Sequence, residues 1–145
     1  RISVSAARGL ALSLGVKSVG VGLFEALAFG ADVDVPLLLS LKAAKNRVYL
    51  QHRKGADVSD ITTATLDDQP IVVTDTVCIG ALSPEIADRL GITHRPARLA
   101  PAAAIAHIAA LNLQTVTEPP APLYMRAANA LPSSDPPPVI LPDDA

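Results

Sequence analysis

Aromatic residues are scarce: two Phe, two Tyr and no Trp make up 3% of the 145 residues. That removes the stacking platforms on which single-strand RNA binders rely. The single cysteine, Cys78, excludes an internal disulfide framework and fits a reducing compartment, where a lone thiol is commonly an inert core residue. Charge is low at 18%, and 12 Lys and Arg against 14 Asp and Glu leave a net −2. No overall field therefore draws the chain to nucleic acid or to an anionic membrane, and any RNA contact has to be local. Apolar runs are interrupted by Gly, Lys, Asp or Pro well short of the about 18 residues that a membrane span needs. No basic segment leads into an apolar run with a cleavage site. A soluble, cytoplasmic protein without a membrane partner is expected.

What is present is apolar surface: 50% of the residues are hydrophobic, enough in a chain of 145 for one ordinary core. The organising stretch is 36–54, PLLLSLKAAKNRVYLQHRK, where two strand-like runs flank a short polar turn at 43–46. Leu37 to Leu41 is almost continuously apolar, as in a strand buried on both faces. The second run alternates Arg47, Tyr49, Gln51 and Arg53 with Val48, Leu50 and His52, as in a strand with one wetter face. This is a hairpin with helices to cover it.

Before the hairpin, Ile2, Ala6, Leu10 and Leu14 recur every four residues with Val4, Ala7 and Ala11 beside them, and Gly15 can close the helix in the left-handed region. Both faces of that helix are rather apolar, and Gly9 inside it suggests a close helix contact. Lys17 to Val21 reads as a short strand, followed by a helix over Leu23 to Ala28 that Gly30 ends. A lobe boundary falls near residue 32. After the hairpin, Gly55 to Gln69 has no clear period and fits an edge strand plus loop. Ile71 to Thr74 reads as a short buried strand that Val77 to Ile79 can extend.

Ser83-Pro84-Glu85 has the order of a helix start, with Ser as N-cap, Ile86, Ala87 and Leu90 inward, and Gly91 closing. Pro101 opens a further helix whose stripe is Ile105, Ile108 and Leu111, backed by six alanines. Pro119, Pro120 and Pro122 enforce an extended approach to Leu123-Tyr124-Met125-Arg126, and 132–145 is a Pro/Asp tail. The chain opens at Arg1 already in helical register and reads as a fragment of something longer.

No catalytic constellation emerges. His52, His94 and His107 lack metal-ligand spacing, and His52 falls on the apolar side of its strand as a core imidazole would. Ser5, Ser13 and Ser83 lack a nucleophile elbow. Gly20-Val21-Gly22 sits between strand and helix, but without a third glycine or a P-loop Lys a tight turn explains it better. Lys42, Lys45, Arg47, Arg53 and Lys54 place five of the 12 basic residues on the hairpin, either a solvated strand face or a patch for tRNA phosphates or an acidic partner. Arg89, His94, Arg95 and Arg98 form a second basic group.

Three stretches resemble the TsaB (YeaZ) family of tRNA threonylcarbamoyladenosine biosynthesis proteins. RISVSAARGLALSLG, Arg1 to Gly15, is similar to the helix that follows the family's Gly-Ser-Phe-Thr-Gly loop. Phe24-Glu25-Ala26-Leu27-Ala28 is similar to its Leu-Glu-Ala-Leu-Ala helix, ahead of a hairpin ending in Val48-Tyr49. Ala121-Pro122-Leu123-Tyr124-Met125-Arg126-Ala127-Ala128-Asn129-Ala130 resembles the closing Pro-x-Tyr-Leu-Arg-x-Ala-Asp-Ala. Arg8 stands for the usual Lys, Asn129 for Asp and Leu131 for a common Lys. The family's first strands, with their Asp-Thr-Ser start, and its Gly-Ser-Phe-Thr-Gly loop would lie ahead of Arg1.

The resemblance implies an α/β chain with an actin-like (ASKHA, ribonuclease H-like) lobe, a mixed sheet flanked by helices. Residues 1–32 are then a remnant of the first lobe, 33–131 the second lobe with a C-terminal return segment, and 132–145 the tail. It also implies a subunit that is not itself catalytic and carries no cofactor, any ATP or ADP belonging to the complex. Its partners would be the catalytic paralogue TsaD and the ATPase TsaE, with a homodimer as the other pairing and tRNA met only indirectly. Ile2, Ala6, Gly9, Leu10 and Leu12 are the expected partner face, and Lys42, Lys45 and Arg47 the expected RNA or partner contact. Rival readings are an actin-like ATPase or kinase fragment and a peptidase-like enzyme.

Overall fold

Leu37–Lys42 (β1) and Arg47–Lys54 (β2) form the antiparallel hairpin that the alternating pattern predicts, with Leu38 opposite His52 and Leu41 opposite Tyr49. The structure, a computed structural model, describes residues 2–31, 34–44, 46–65, 67–68, 70, 72–73 and 75–125. Two short strands, Asp57–Val58 (β3) and Thr62–Thr65 (β4), both pair with β2, so the stretch 55–69 supplies two edge pieces where a single one was expected. Val77–Gly80 (β5) returns parallel to β1, and Thr93–His94 (β6) lies parallel to β5. The sheet is therefore mixed, in the order β3-β2-β1-β5-β6 with β4 also on β2.

The central position of β1 explains its composition. Leu37, Leu38, Leu39 and Ser40 are all buried because both faces of the strand are covered. On one face Leu37, Leu39, Val77 and Ile79 pack with Phe24 and Leu27 of the helix Leu23–Ala28 (α2). On the other, Leu38, Val48, Leu50 and Cys78 pack with Ile86 and Ala87 of the helix Ser83–Leu90 (α3). The helix Pro101–Asn112 (α4) lies on α2, where Phe29 and His107 stack with ring centroids 5.7 Å apart. Its inward side is Ala104 and Ile108. Leu111 of the expected stripe is 74% exposed, so the buried side of α4 runs through Ala104 and Ile108 and not through Leu111.

Three further expectations need correction. Val72 and Val73 lie outside any strand, and Val73 is exposed, while Ile71 and Thr74 lie outside the described residues; the buried strand here is Val77–Gly80. Ser83 is the first helical residue of α3 and is buried. The N-cap position is held by Leu82 in the left-handed region, and no side chain caps the helix. Gly91 does close α3, at φ 65°, with its N–H donating to the Ala87 carbonyl. Lys17 to Val21 is assigned to no strand.

The first helix, Ile2–Leu14 (α1), ends at Gly15 with φ 64°, and the Val16 N–H donates back to the Ala11 carbonyl at 3.0 Å. The sequence from Arg126 onward, including the end of the closing motif and the Pro/Asp tail, lies outside the described residues. Among the described residues no helix is long and apolar enough to cross a membrane.

Candidate partner interface

An amphipathic helix normally buries one stripe, but in α1 the only buried residue is Ala11, with Val4 half-buried on the same side. Ile2 is 87% exposed, Leu12 85%, Leu14 71% and Leu10 63%. The expected partner residues Ile2, Ala6, Gly9, Leu10 and Leu12 are all exposed, and they divide between two faces. Ile2, Ala6 and Leu10 continue to Leu14 in a row of four-residue steps, which places them along one side of the helix. Leu12 and Gly9 instead line a groove of about 420 Å³ between α1 and the return segment Val116–Pro119.

That groove is walled by Ala11, Leu12, Val16, Val116 and Pro119, with Arg8, Lys17 and Glu118 around it. Leu14 and Val16 extend the exposed apolar surface beyond the expected set. For Leu14 the signal was present in the sequence, since it completes the row from Ile2. Among the described residues no group lies within 4 Å of where a Gly9 Cβ would stand, so the close helix contact suggested by that glycine is not made by them. Covering Ile2, Leu10 and Leu12 would be worth roughly 1.5–3 kcal/mol for each side chain fully withdrawn from water.

The basic hairpin does not present one surface. Successive strand residues point to opposite faces. Arg47 shares the face of Tyr49, whereas Lys42, opposite Val48, shares the face of Leu38 and Ser40. Arg53 and Lys54 stand at the far end of β2, with Lys54 opposite Asp57. Lys45 lies outside the described residues. The second basic group is also divided, since Arg89 pairs with Asp67 at 3.0 Å and Arg98 donates to the Gly30 carbonyl at 3.3 Å.

The interior nucleophiles are engaged. Ser40 Oγ donates to the Ala81 carbonyl at 2.7 Å, and Thr76 Oγ1 to the Val73 carbonyl at 2.7 Å. Burial pushes the Cys78 thiol up to about 11, against a smaller lowering by its hydrogen bond with Ser40. A thiol so placed is protonated at neutral pH and a poor nucleophile. Among the described residues, no three His, Cys, Asp or Glu side chains gather as a metal site.

No protein-family model matches the sequence, and no curated protein matches it. Solved structures do. One, described as an uncharacterised protein with similarity to peptidase YeaZ from Pseudomonas aeruginosa, superposes with a TM-score of 0.56 at 14% identity, over 87% of this chain and 67% of that one. YeaZ from Pseudomonas aeruginosa gives a TM-score of 0.50 at 16% identity, over 79% of this chain and 61% of that one. The present chain thus spans about two thirds of the length of these proteins. At such identities the likeness is one of architecture, and the chain has the fold of YeaZ (TsaB): an α/β, actin-like arrangement of a mixed sheet flanked by helices.

Proposed function

We propose that this chain is part of a non-catalytic partner subunit of the complex that makes threonylcarbamoyladenosine beside the anticodon of tRNA. It acts by dimerising with the catalytic paralogue TsaD through α1, and the ATPase TsaE and the tRNA join the resulting assembly. The observation that carries this reading is the exposed apolar row of α1. A helix showing Ile2, Leu10, Leu12 and Leu14 to water has more apolar surface than its own fold uses, and such surface marks a docking site. The YeaZ-like fold supports the choice of partner.

The competing peptidase reading draws on the wording attached to one solved structure. It is less favoured because the buried thiol is held protonated and the buried Ser40 hydroxyl is committed to a carbonyl. Isothermal calorimetry with the TsaD paralogue tests the proposal. Leu10→Glu places a charge in the row and should weaken binding by at least about tenfold. Unchanged affinity in both Leu10→Glu and Leu12→Glu would show that α1 is not the contact.

A further inference from the structure

Apolar walls and two cations meet in the groove beside α1. Leu12 and Val16 line it and are exposed although both are apolar, and Ala11, Val116 and Pro119 complete the apolar lining. Arg8 and Lys17 stand there against the single acid Glu118, and among the described residues neither cation forms an ion pair. A volume of about 420 Å³ suits a few aliphatic side chains. Exposed apolar walls beside a surplus of positive charge favour an occupant with short apolar anchors and acidic flanks.

The chain itself carries such a segment. Residues 132–145 hold three Asp and no Lys or Arg, and their large aliphatic side chains are the consecutive Val139, Ile140 and Leu141. Asp135 precedes that triplet and Asp143 and Asp144 follow it, so the anchors have acid on both sides. Pro138 and Pro142 bracket the triplet. Prolines fix φ and bias the residue before them away from helix, which lowers the entropy lost when the segment is held against a surface. The connection is also long enough. The return segment forms one wall of the groove through Val116–Pro119 and leads on to the tail, and the 15 residues from Met125 to Ile140 span up to roughly 50 Å, against roughly 20 Å for the length of α1. A segment tethered in this way is present at an effective concentration of about a millimolar, so a weak contact suffices to seat it.

We propose that the tail of this chain folds back and seats Val139, Ile140 and Leu141 in the α1 groove, with its aspartates against Arg8 and Lys17. Leu12 is then covered from within the chain, and a partner that reaches Leu12 has to displace the tail. The inference does not rest on the proposed TsaD contact, and its test needs no partner protein.

Paramagnetic broadening in the 145-residue chain tests it. Ala145→Cys carries a nitroxide, while Cys78 is buried and escapes labelling. The amide signals of Gly9, Val16 and Thr117 should be lost with the label oxidised and return when it is reduced. Ile140→Asp, carrying the same label, should recover those signals. So should Leu12→Glu, which sets a carboxylate before an acidic tail. Amide positions in β1 and β2 should be the same in all three proteins, which separates loss of docking from loss of folding. Full intensity in the labelled parent, or loss of signal that persists in either variant, would overturn the proposal. So would loss of signal in an isotope-labelled chain mixed with a nitroxide-bearing unlabelled one, since the occupant would then be the tail of a second copy.

Discussion

Ser40 and Gly80 face each other across the central parallel pair, and each fixes the other. The Ala81 N–H donates to the Ser40 carbonyl at 3.0 Å, while Ser40 Oγ donates to the Ala81 carbonyl at 2.7 Å. Gly80 sits at φ 125°, a region that side chains rarely adopt, and a Cβ there would overlap the Ser40 carbonyl oxygen. The hydroxyl therefore satisfies a carbonyl at the point where the strand must bend away towards α3, and the missing side chain lets the two backbones meet.

Gly80→Ala should accordingly destabilise the chain by about 3 kcal/mol or more, combining backbone strain with overlap in a site that cannot relax. Urea unfolding should show a lower midpoint with an unchanged slope. Ser40→Ala should cost about 1–3 kcal/mol by leaving the Ala81 carbonyl without its hydroxyl donor.

Cys78 should resist alkylation in the native state at neutral pH and react on unfolding. Its folded pKa of about 11 lies above the 9.0 of an unperturbed thiol, so the native state holds the proton more tightly. That contribution is fully present below pH 9.0 and is lost as pH rises through about 11. The loss amounts to about 2–3 kcal/mol. Comparing unfolding free energies of the parent and Cys78→Ala across this window isolates the effect, because the variant lacks that component of the slope.

The sequence pattern reveals the sheet more readily than the site. The hairpin is legible because Val48 and Leu50 alternate with Arg47 and Tyr49, and α3 because Gly91 can take a left-handed close. The strand at 77–80 is easily misplaced because 71–74 has the same β-branched composition, and composition alone does not say which run reaches the centre. Ser83 resembles a cap because its residue type prefers that position, but burial draws it into the helix and leaves Leu82 at the turn. At Lys17 to Val21 the local preference is for a strand, but a strand also needs donors beside it, and Pro120, which lies against Gly20, has no N–H. The exposed row of α1 is visible as apolarity on both faces. Its division from Leu12 at the groove is not, because the groove depends on where residues 116–119 pass.

Stacking of His107 on Phe29, at an interplanar angle of 17°, ties α4 to the end of α2. His107→Ala should cost about 0.5–1.5 kcal/mol, and His107→Phe should restore most of it, since the contact is between ring faces. Thermal unfolding of the parent and the two variants gives the comparison. Equal melting temperatures for the parent and His107→Ala would mean the rings merely lie near each other.

If tRNA touches the hairpin, it meets one face of β2 and not the whole set of cations. Arg47 shares its face with Tyr49 while Lys42 projects to the other, so a phosphate backbone lying along one side reaches only one of them. Each phosphate neutralised contributes a little under one unit to the slope of log affinity against log salt. Arg47→Gln should therefore flatten that slope by about one unit, with Lys42→Gln leaving it unchanged. The double variant should match Arg47→Gln alone. Equal effects from both single variants would mean that the RNA wraps the turn end of the hairpin. No effect from either would remove the hairpin as an RNA contact and leave those residues as a solvated strand surface.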